Sequence, residues 1–257
     1  MARDEDIDRI CRNVEDRIQR FARMEKDSSD RKTQDEVFDK ATLLALSKFI
    51  SSGEIDLIDF PIATGKEGNV FKADYKDGFR AVKIYRVSTR TFKSLSKYIE
   101  GDPRFASLKN QKHIIFAWAL REFRNLKKAM DAGIRVPEPV NCTRNILLME
   151  YIGNGGPAPL LKDVKVEDPD RLFKLITDML VKLHNDAKLV HGDLSEFNIL
   201  MDGQVPVLID FGQGVPITHY NAKEWLERDV DNVCRYFKKL GLEPDKAEIM
   251  ERLEVQQ

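Results

Sequence analysis

The chain has 257 residues, of which 42% are hydrophobic, and 42 Lys and Arg stand against 43 Asp and Glu for a formal net charge of -1. The length and apolar content suffice for a substantial core, and the balanced charge excludes a global field drawing the chain to nucleic acid or membrane, so any such affinity must be local. No apolar run approaches the roughly 20 residues that span a bilayer, and Met1-Ala-Arg-Asp-Glu-Asp is too charged for a secretory signal, so the expected location is cytoplasmic. Cys11, Cys142 and Cys234 are few, odd in number and far apart, which argues for core thiols in a reducing compartment rather than a disulfide framework or a zinc site.

Within 4–30, Ile7, Ile10, Val14, Ile18 and Phe21 recur at three- and four-residue steps, a narrow apolar stripe on a helix that must cover something. After Ser28-Ser-Asp-Arg, a second amphipathic helix carries Val37, Phe38, Ala41, Leu44 and Ala45 and ends near Gly53. These two make an N-terminal helical extension, 1–53.

Strands are expected over 58–63, 70–75 and 79–85, with Lys76-Asp-Gly78 as a hairpin turn. Period-two alternation puts Ala81, Lys83 and Tyr85 on one face of the third strand and Val82 and Ile84 on the other. Between the first two strands lies Ala63-Thr-Gly-Lys-Glu-Gly-Asn-Val70. Its glycines allow a close backbone approach to phosphates, although a plain hairpin turn would use the same residues. The stretch 86–112 has no clean period and is rich in Lys and Arg, which reads either as a solvated loop or as a basic surface for substrate or RNA phosphates.

A helix is predicted over 111–132, closed by Gly133. Its apolar stripe of Ile115, Trp118, Leu126 and Ala129 includes Glu122, a carboxylate that is costly there unless paired. Lys83 is the obvious partner; the alternative puts Glu122 at the stripe's edge, reaching solvent. Residues 136–140 and 145–151 read as the next hairpin, running into Gly153-Asn-Gly-Gly-Pro-Ala-Pro159, a composition that suits a hinge. Backbone groups at the end of that strand could meet an adenine edge, while Met149 reads equally well as core packing. Helical periods follow at Leu172, Ile176, Met179, Leu180 and Leu183, then from Trp225 to Leu240, then at Ile249 and Leu253.

The most informative stretch is Leu189-Val-His-Gly-Asp-Leu-Ser-Glu-Phe-Asn-Ile-Leu200 followed by Val205-Pro-Val-Leu-Ile-Asp-Phe-Gly212. Asp193, Asn198 and Asp210 flank two short apolar strands joined at Asp202-Gly203, which predicts a buried hairpin presenting oxygen ligands at one end. Singly they are ordinary turn residues. Together, His-x-Asp-Leu-x-x-x-Asn and Asp-Phe-Gly satisfy two parts of the protein-kinase signature in order. Magnesium takes oxygen ligands and keeps phosphates and waters in its shell, so one carboxylate and one amide suffice, which frees Asp193 to orient a nucleophile.

With Thr64-Gly-Lys-Glu-Gly-Asn-Val-Phe71, Tyr85-Arg-Val-Ser-Thr-Arg-Thr-Phe92, Glu122-Phe-Arg-Asn-Leu126 and Ile209-Asp-Phe-Gly-Gln213, the chain resembles the RIO-type atypical serine/threonine kinases over about 55–240, and within them the first subfamily in an archaeal-type minimal form. The resemblance implies an α+β, two-lobed protein-kinase-like fold. Its small β-rich N-lobe (54–152) has one long helix, and its mainly helical C-lobe (153–257) lacks the activation segment and the peptide-binding helices. It implies Asp193 as catalytic aspartate, Asn198 and Asp210 as metal ligands, and Lys83 with Glu122 as the phosphate-holding ion pair. Thr64, Gly65, Lys66, Glu67, Gly68, Asn69 and Val70 would cover the phosphates, and Met149, Glu150 and Ile152 would meet the adenine.

The implied cofactors are ATP and Mg2+, with Mn2+ as a substitute. The implied activity is γ-phosphate transfer to Ser/Thr hydroxyls, the chain's own included, in small ribosomal subunit maturation. An ATPase that gates ribosome assembly is the alternative, and a small-molecule kinase is the third option. The implied partners are a protein substrate and a small-subunit precursor, with RNA contact through 86–112 and no membrane. Gly192 stands where other kinases carry an arginine, and no Ala-Pro-Glu follows Gly212.

Overall fold

The computed structural model describes residues 40–65, 67–87, 98–99, 105, 108 and 110–254. The stripe from Ile7 to Phe21, Val37, Phe38, Cys11, Lys66 and most of 86–112 lie outside the described residues. Those described gather into two units: the first runs to Leu120 and adds Pro139–Tyr151, and the second comprises Arg121–Glu138 with the chain from Ile152 onward.

The first unit is built on a five-stranded antiparallel sheet in the order β1-β2-β3-β5-β4, with β1 Leu57–Thr64, β2 Gly68–Tyr75, β3 Gly78–Tyr85, β4 Pro139–Thr143 and β5 Ile146–Glu150. The β2–β3 turn places Lys76 at φ 49, the left-handed region that a two-residue hairpin requires. Helix α1, Lys40–Ser51, lays Leu43, Leu46 and Phe49 against Ile58, Phe71, Ala73, Val82, Ile84, Ile146 and Leu148. The helix thus belongs to the core of the sheet, and it covers the Val82 and Ile84 face. Buried Asn145 ties the unit together, sharing a hydrogen bond with Thr42 (3.3 Å) and donating to the Tyr85 carbonyl (2.9 Å).

The strand expected from Val136 begins only at Pro139. Pro137 and Pro139 have no N–H to give to a ladder, so the chain on either side of Glu138 cannot pair earlier. Helix α2, Gln111–Asp131, ends with Gly133 at φ 74, as its sequence predicts.

The second unit is mainly helical: α3 Pro169–Asn185, α4 Ala222–Lys239 and α5 Lys246–Glu254. Asp168 caps α3, its carboxylate accepting from Arg171 N at 3.0 Å with Pro169 in the first turn. Two short antiparallel pairs complete the unit: β6 Leu189–Val190 with β9 Val215–Pro216, and β7 Ile199–Asp202 with β8 Val205–Leu208. Among the described residues no helix is long and apolar enough to cross a membrane, and Cys142 and Cys234 are free thiols.

Candidate active site

The β7–β8 hairpin is the scaffold of the site. Ile199 pairs with Leu208, and beyond that pair Ile209 N donates to Asn198 O at 3.0 Å, so Asn198 and Asp210 stand at the open end. The apolar side chains of Ile199, Met201, Val207 and Leu208 are buried beneath them, which fixes the register. Asn198 Nδ2 donates to the carbonyl of Asp193 at 2.7 Å and to its carboxylate at 3.3 Å. That commits the amide nitrogen and leaves the oxygen to face a ligand.

Asp210 adopts φ 64, ψ 61. A non-glycine residue in the left-handed region costs about 1 kcal/mol or more, and the turn that imposes it is anchored from α2. Arg121, 1% exposed, donates through Nε to Gly212 O at 2.9 Å and through a second, shorter bond from Nη2. Asn125 Nδ2 donates to Phe211 O at 3.0 Å and Gly214 O at 2.8 Å. His191 packs its ring 4.7 Å from that of Phe211 and engages Ile209 O at 3.0 Å.

From the other side, α4 grips the loop that carries Asp193. Asp229, wholly buried, accepts from Gly192 N at 2.7 Å and Leu194 N at 2.8 Å. Arg228 donates to Gly192 O, and Asn232 donates to Leu194 O at 3.0 Å. The peptide units on both sides of Asp193 are therefore clamped to one helix. Gly192 sits at φ 78, and a Cβ there would come within 3.2 Å of Gln213 O, so the loop needs glycine at this point.

Burial raises the Asp193 carboxyl above its ordinary range and the Asp210 charge adds to this, while His191, Arg228 and the Asn198 amide pull the other way. Burial pushes Asp229 up to about 7, against the two N–H bonds and Arg228. Two carboxylates and an amide oxygen suit a hard divalent cation. Among the described residues no group of three or more His, Cys, Asp or Glu could hold a metal alone. With one carboxylate and one amide oxygen from the chain, a magnesium ion held there would take its other ligands from phosphate and water.

The remaining sequence-derived candidates belong to the first unit, except Glu122 and Ile152, which belong to the second. Lys83, half-buried on β3, pairs in register with Val70 on β2 and Leu147 on β5, and Ala81 pairs with Met149. Thr64 pairs with Asn69, so the glycine stretch narrows to a tight turn in which Gly65 N donates to Gly68 O at 2.9 Å and Arg86 N to Glu67 O at 2.8 Å. A Cβ on Gly68 would lie 2.3 Å from Ile84 O, so this glycine is demanded by the neighbouring strand whatever binds above it. Lys66 is outside the described residues. Glu122 is 1% exposed, against the reading that it reaches solvent. Glu150 ends β5, and Ile152 accepts from Ala158 N at 2.9 Å.

Arg121, Arg228 and Asp229 are not among the residues the sequence points to, and Asn125 enters only as part of Glu122-Phe-Arg-Asn-Leu126, with no role attached. Asp229 had a signal: it lies four residues after Trp225 and four before Val233, inside the same kind of apolar stripe that marked Glu122.

The chain matches the RIO domain family model over residues 69–250. It is 41% identical over 252 residues to the RIO-type serine/threonine-protein kinase Rio1 of Haloferax volcanii, covering 96% of this chain and 86% of that one. It is 44% identical over 212 residues to the protein of the same name from Methanocaldococcus jannaschii, covering 82% and 73%. Among solved structures it resembles the Rio2 kinase of Chaetomium thermophilum, crystallised as an ADP/Mg2+-phosphoaspartate complex, with a TM-score of 0.65 and 26% identity over 83% of this chain and 66% of that one. Family model, close relatives and fold agree with the motifs around Asp193 and Asp210: the chain is a member of the RIO kinase family.

Proposed function

We propose that this chain transfers the γ-phosphate of ATP to Ser/Thr hydroxyls, its own included, with magnesium at Asn198 and Asp210. The single observation that carries the reading is the convergence of Asp193, Asn198 and Asp210 at the open end of one hairpin, with the Asn198 amide bonded to Asp193. Asp193 accepts the hydrogen bond of the acceptor hydroxyl and points its oxygen at the γ-phosphorus. As the new P–O bond forms and the bond to ADP breaks, the hydroxyl proton passes to that carboxylate. Magnesium, when bound, neutralises charge on the phosphate oxygens, and Mn2+ would substitute. The α4 clamp and the Arg121 and Asn125 anchors keep the three side chains in position, which is most of what phosphoryl transfer asks of a protein.

In the same reading Lys83, oriented by Glu122, grips the nucleotide phosphates. Residues 64–70 cover them, and Met149, Glu150 and Ile152 bracket the adenine.

A second reading is favoured by the phosphoaspartate in the solved Rio2 relative. Here Asp210 receives the phosphate, water then releases it, and the cycle gates association with a small ribosomal subunit precursor, with RNA contact through 86–112. One experiment separates the two: follow phosphate release and protein labelling from γ-labelled ATP together, and test the label with hydroxylamine. Hydroxylamine-stable label on Ser or Thr supports the kinase reading. Labile label that turns over with phosphate release, and is lost in D210N, supports the second. Neither label nor phosphate release would refute both.

A further inference from the structure

The two most exposed large hydrophobic side chains among the described residues, Tyr220 at 63% and Phe197 at 57%, both flank the loop carrying Asp193. The apolar residues on either side of Phe197, Leu194 and Ile199, are buried. Looseness of the loop does not account for Phe197, since Asn198 N donates to Ser195 O at 2.9 Å and Leu194 is bonded on both sides to α4. On the other flank Tyr220 stacks on His219 with ring centroids 4.5 Å apart, and His219 stacks on Trp225 at 5.1 Å. Trp225 Cε3 lies 3.6 Å from where a Gly192 Cβ would stand. The aromatic stack thus starts against the residue before Asp193 and ends in solvent.

Large apolar groups clustered in water mark partner surfaces, whereas single ones need no explanation; what sets these two apart is the position of both beside the Asp193 loop. Beside Phe197 the charges are paired: Lys162, whose ammonium is 5.8 Å from the ring, with Asp163 at 2.6 Å, and Lys239 with Glu196 at 3.7 Å. Lysines already paired in this way offer a phosphate backbone less than free ones would, whereas an apolar protein segment needs no charge.

We propose that Phe197 and Tyr220 contact the protein acceptor and select a segment with apolar side chains near its Ser or Thr. This rests on the phosphoryl-transfer reading above.

The test uses synthetic peptides with a central Ser flanked two residues away on each side by Leu, Ala or Asp, and compares kcat/KM among them for each enzyme. The wild type should prefer the Leu peptide over the Ala peptide by about tenfold or more. F197A and Y220A should each lose most of that preference through KM, and F197Y should keep it. Because the readout is a ratio within one enzyme, it is insensitive to a general loss of activity.

The inference is overturned if the wild type shows no preference, if both alanine variants retain it, or if the wild type labels itself while ignoring every peptide. It is also overturned if the variants lose affinity for a fluorescent single-stranded RNA and not the peptide preference. A wild type that transfers label to nothing would refute the kinase reading itself.

Discussion

Replacing Asp229 by Ala tests whether α4 holds the loop around Asp193. The substitution removes the acceptors of Gly192 N (2.7 Å) and Leu194 N (2.8 Å) in a fully buried setting. Each amide left without a partner costs about 1–3 kcal/mol, so the starting figure is about 2–6 kcal/mol. Part of it is offset, because burial pushes the Asp229 carboxyl up to about 7. With the folded pKa raised above the unfolded value, the folded state keeps a proton that the unfolded chain has released. The carboxyl's own contribution is therefore complete below about pH 4 and is lost as pH rises through about 7, at up to roughly 1.4 kcal/mol per pH unit. The stability lost in D229A should be larger at pH 5 than at pH 8, as read from urea unfolding at several pH values. γ-Phosphate transfer should fall at least tenfold at every pH, because the peptide units beside Asp193 are released. A stability loss under about 1 kcal/mol near pH 5, or one that grows with pH, would refute the reasoning.

Gly68→Ala drives a Cβ to 2.3 Å from Ile84 O and 3.0 Å from Tyr85 Cα; parting β2 from β3 should cost about 2–4 kcal/mol in thermal unfolding, and unchanged stability would mean the strands yield freely. Asp168→Ala removes the α3 cap and should cost about 0.5–2 kcal/mol, with phosphoryl transfer unaffected in a labelling assay. Asn125→Ala withdraws donors from Phe211 O and Gly214 O; it should cost about 1–3 kcal/mol in urea unfolding and reduce transfer, since the turn that carries Asp210 loses an anchor.

The candidate site was legible in the sequence because its elements are local. Asp193 and Asn198 are five residues apart and bond to each other, and the hairpin between Asn198 and Asp210 announces itself through two short apolar runs with Gly203 between them. What holds this arrangement was hidden, because its bonds span long stretches of chain: 35 to 37 residues for Asp229 and 86 to 91 for Asn125 and Arg121. No period or spacing encodes such pairings; only burial of a polar side chain hints at them. The same holds for α1. Its amphipathic pattern says that it covers something, and only the fold shows that Leu43, Leu46 and Phe49 enter the core of the sheet. At Gly68 the sequence invited a phosphate-binding explanation, yet the contact that forbids a side chain is the carbonyl of Ile84.

The most direct test of the central claim replaces the Asp193 carboxylate by an amide of the same shape. With Mg2+ and γ-labelled ATP, Asp193→Asn should lose about a hundredfold or more of the wild type's transfer to itself and to a protein acceptor, while still binding nucleotide and unfolding at the wild-type temperature. Transfer at the wild-type rate by the folded variant would contradict the account.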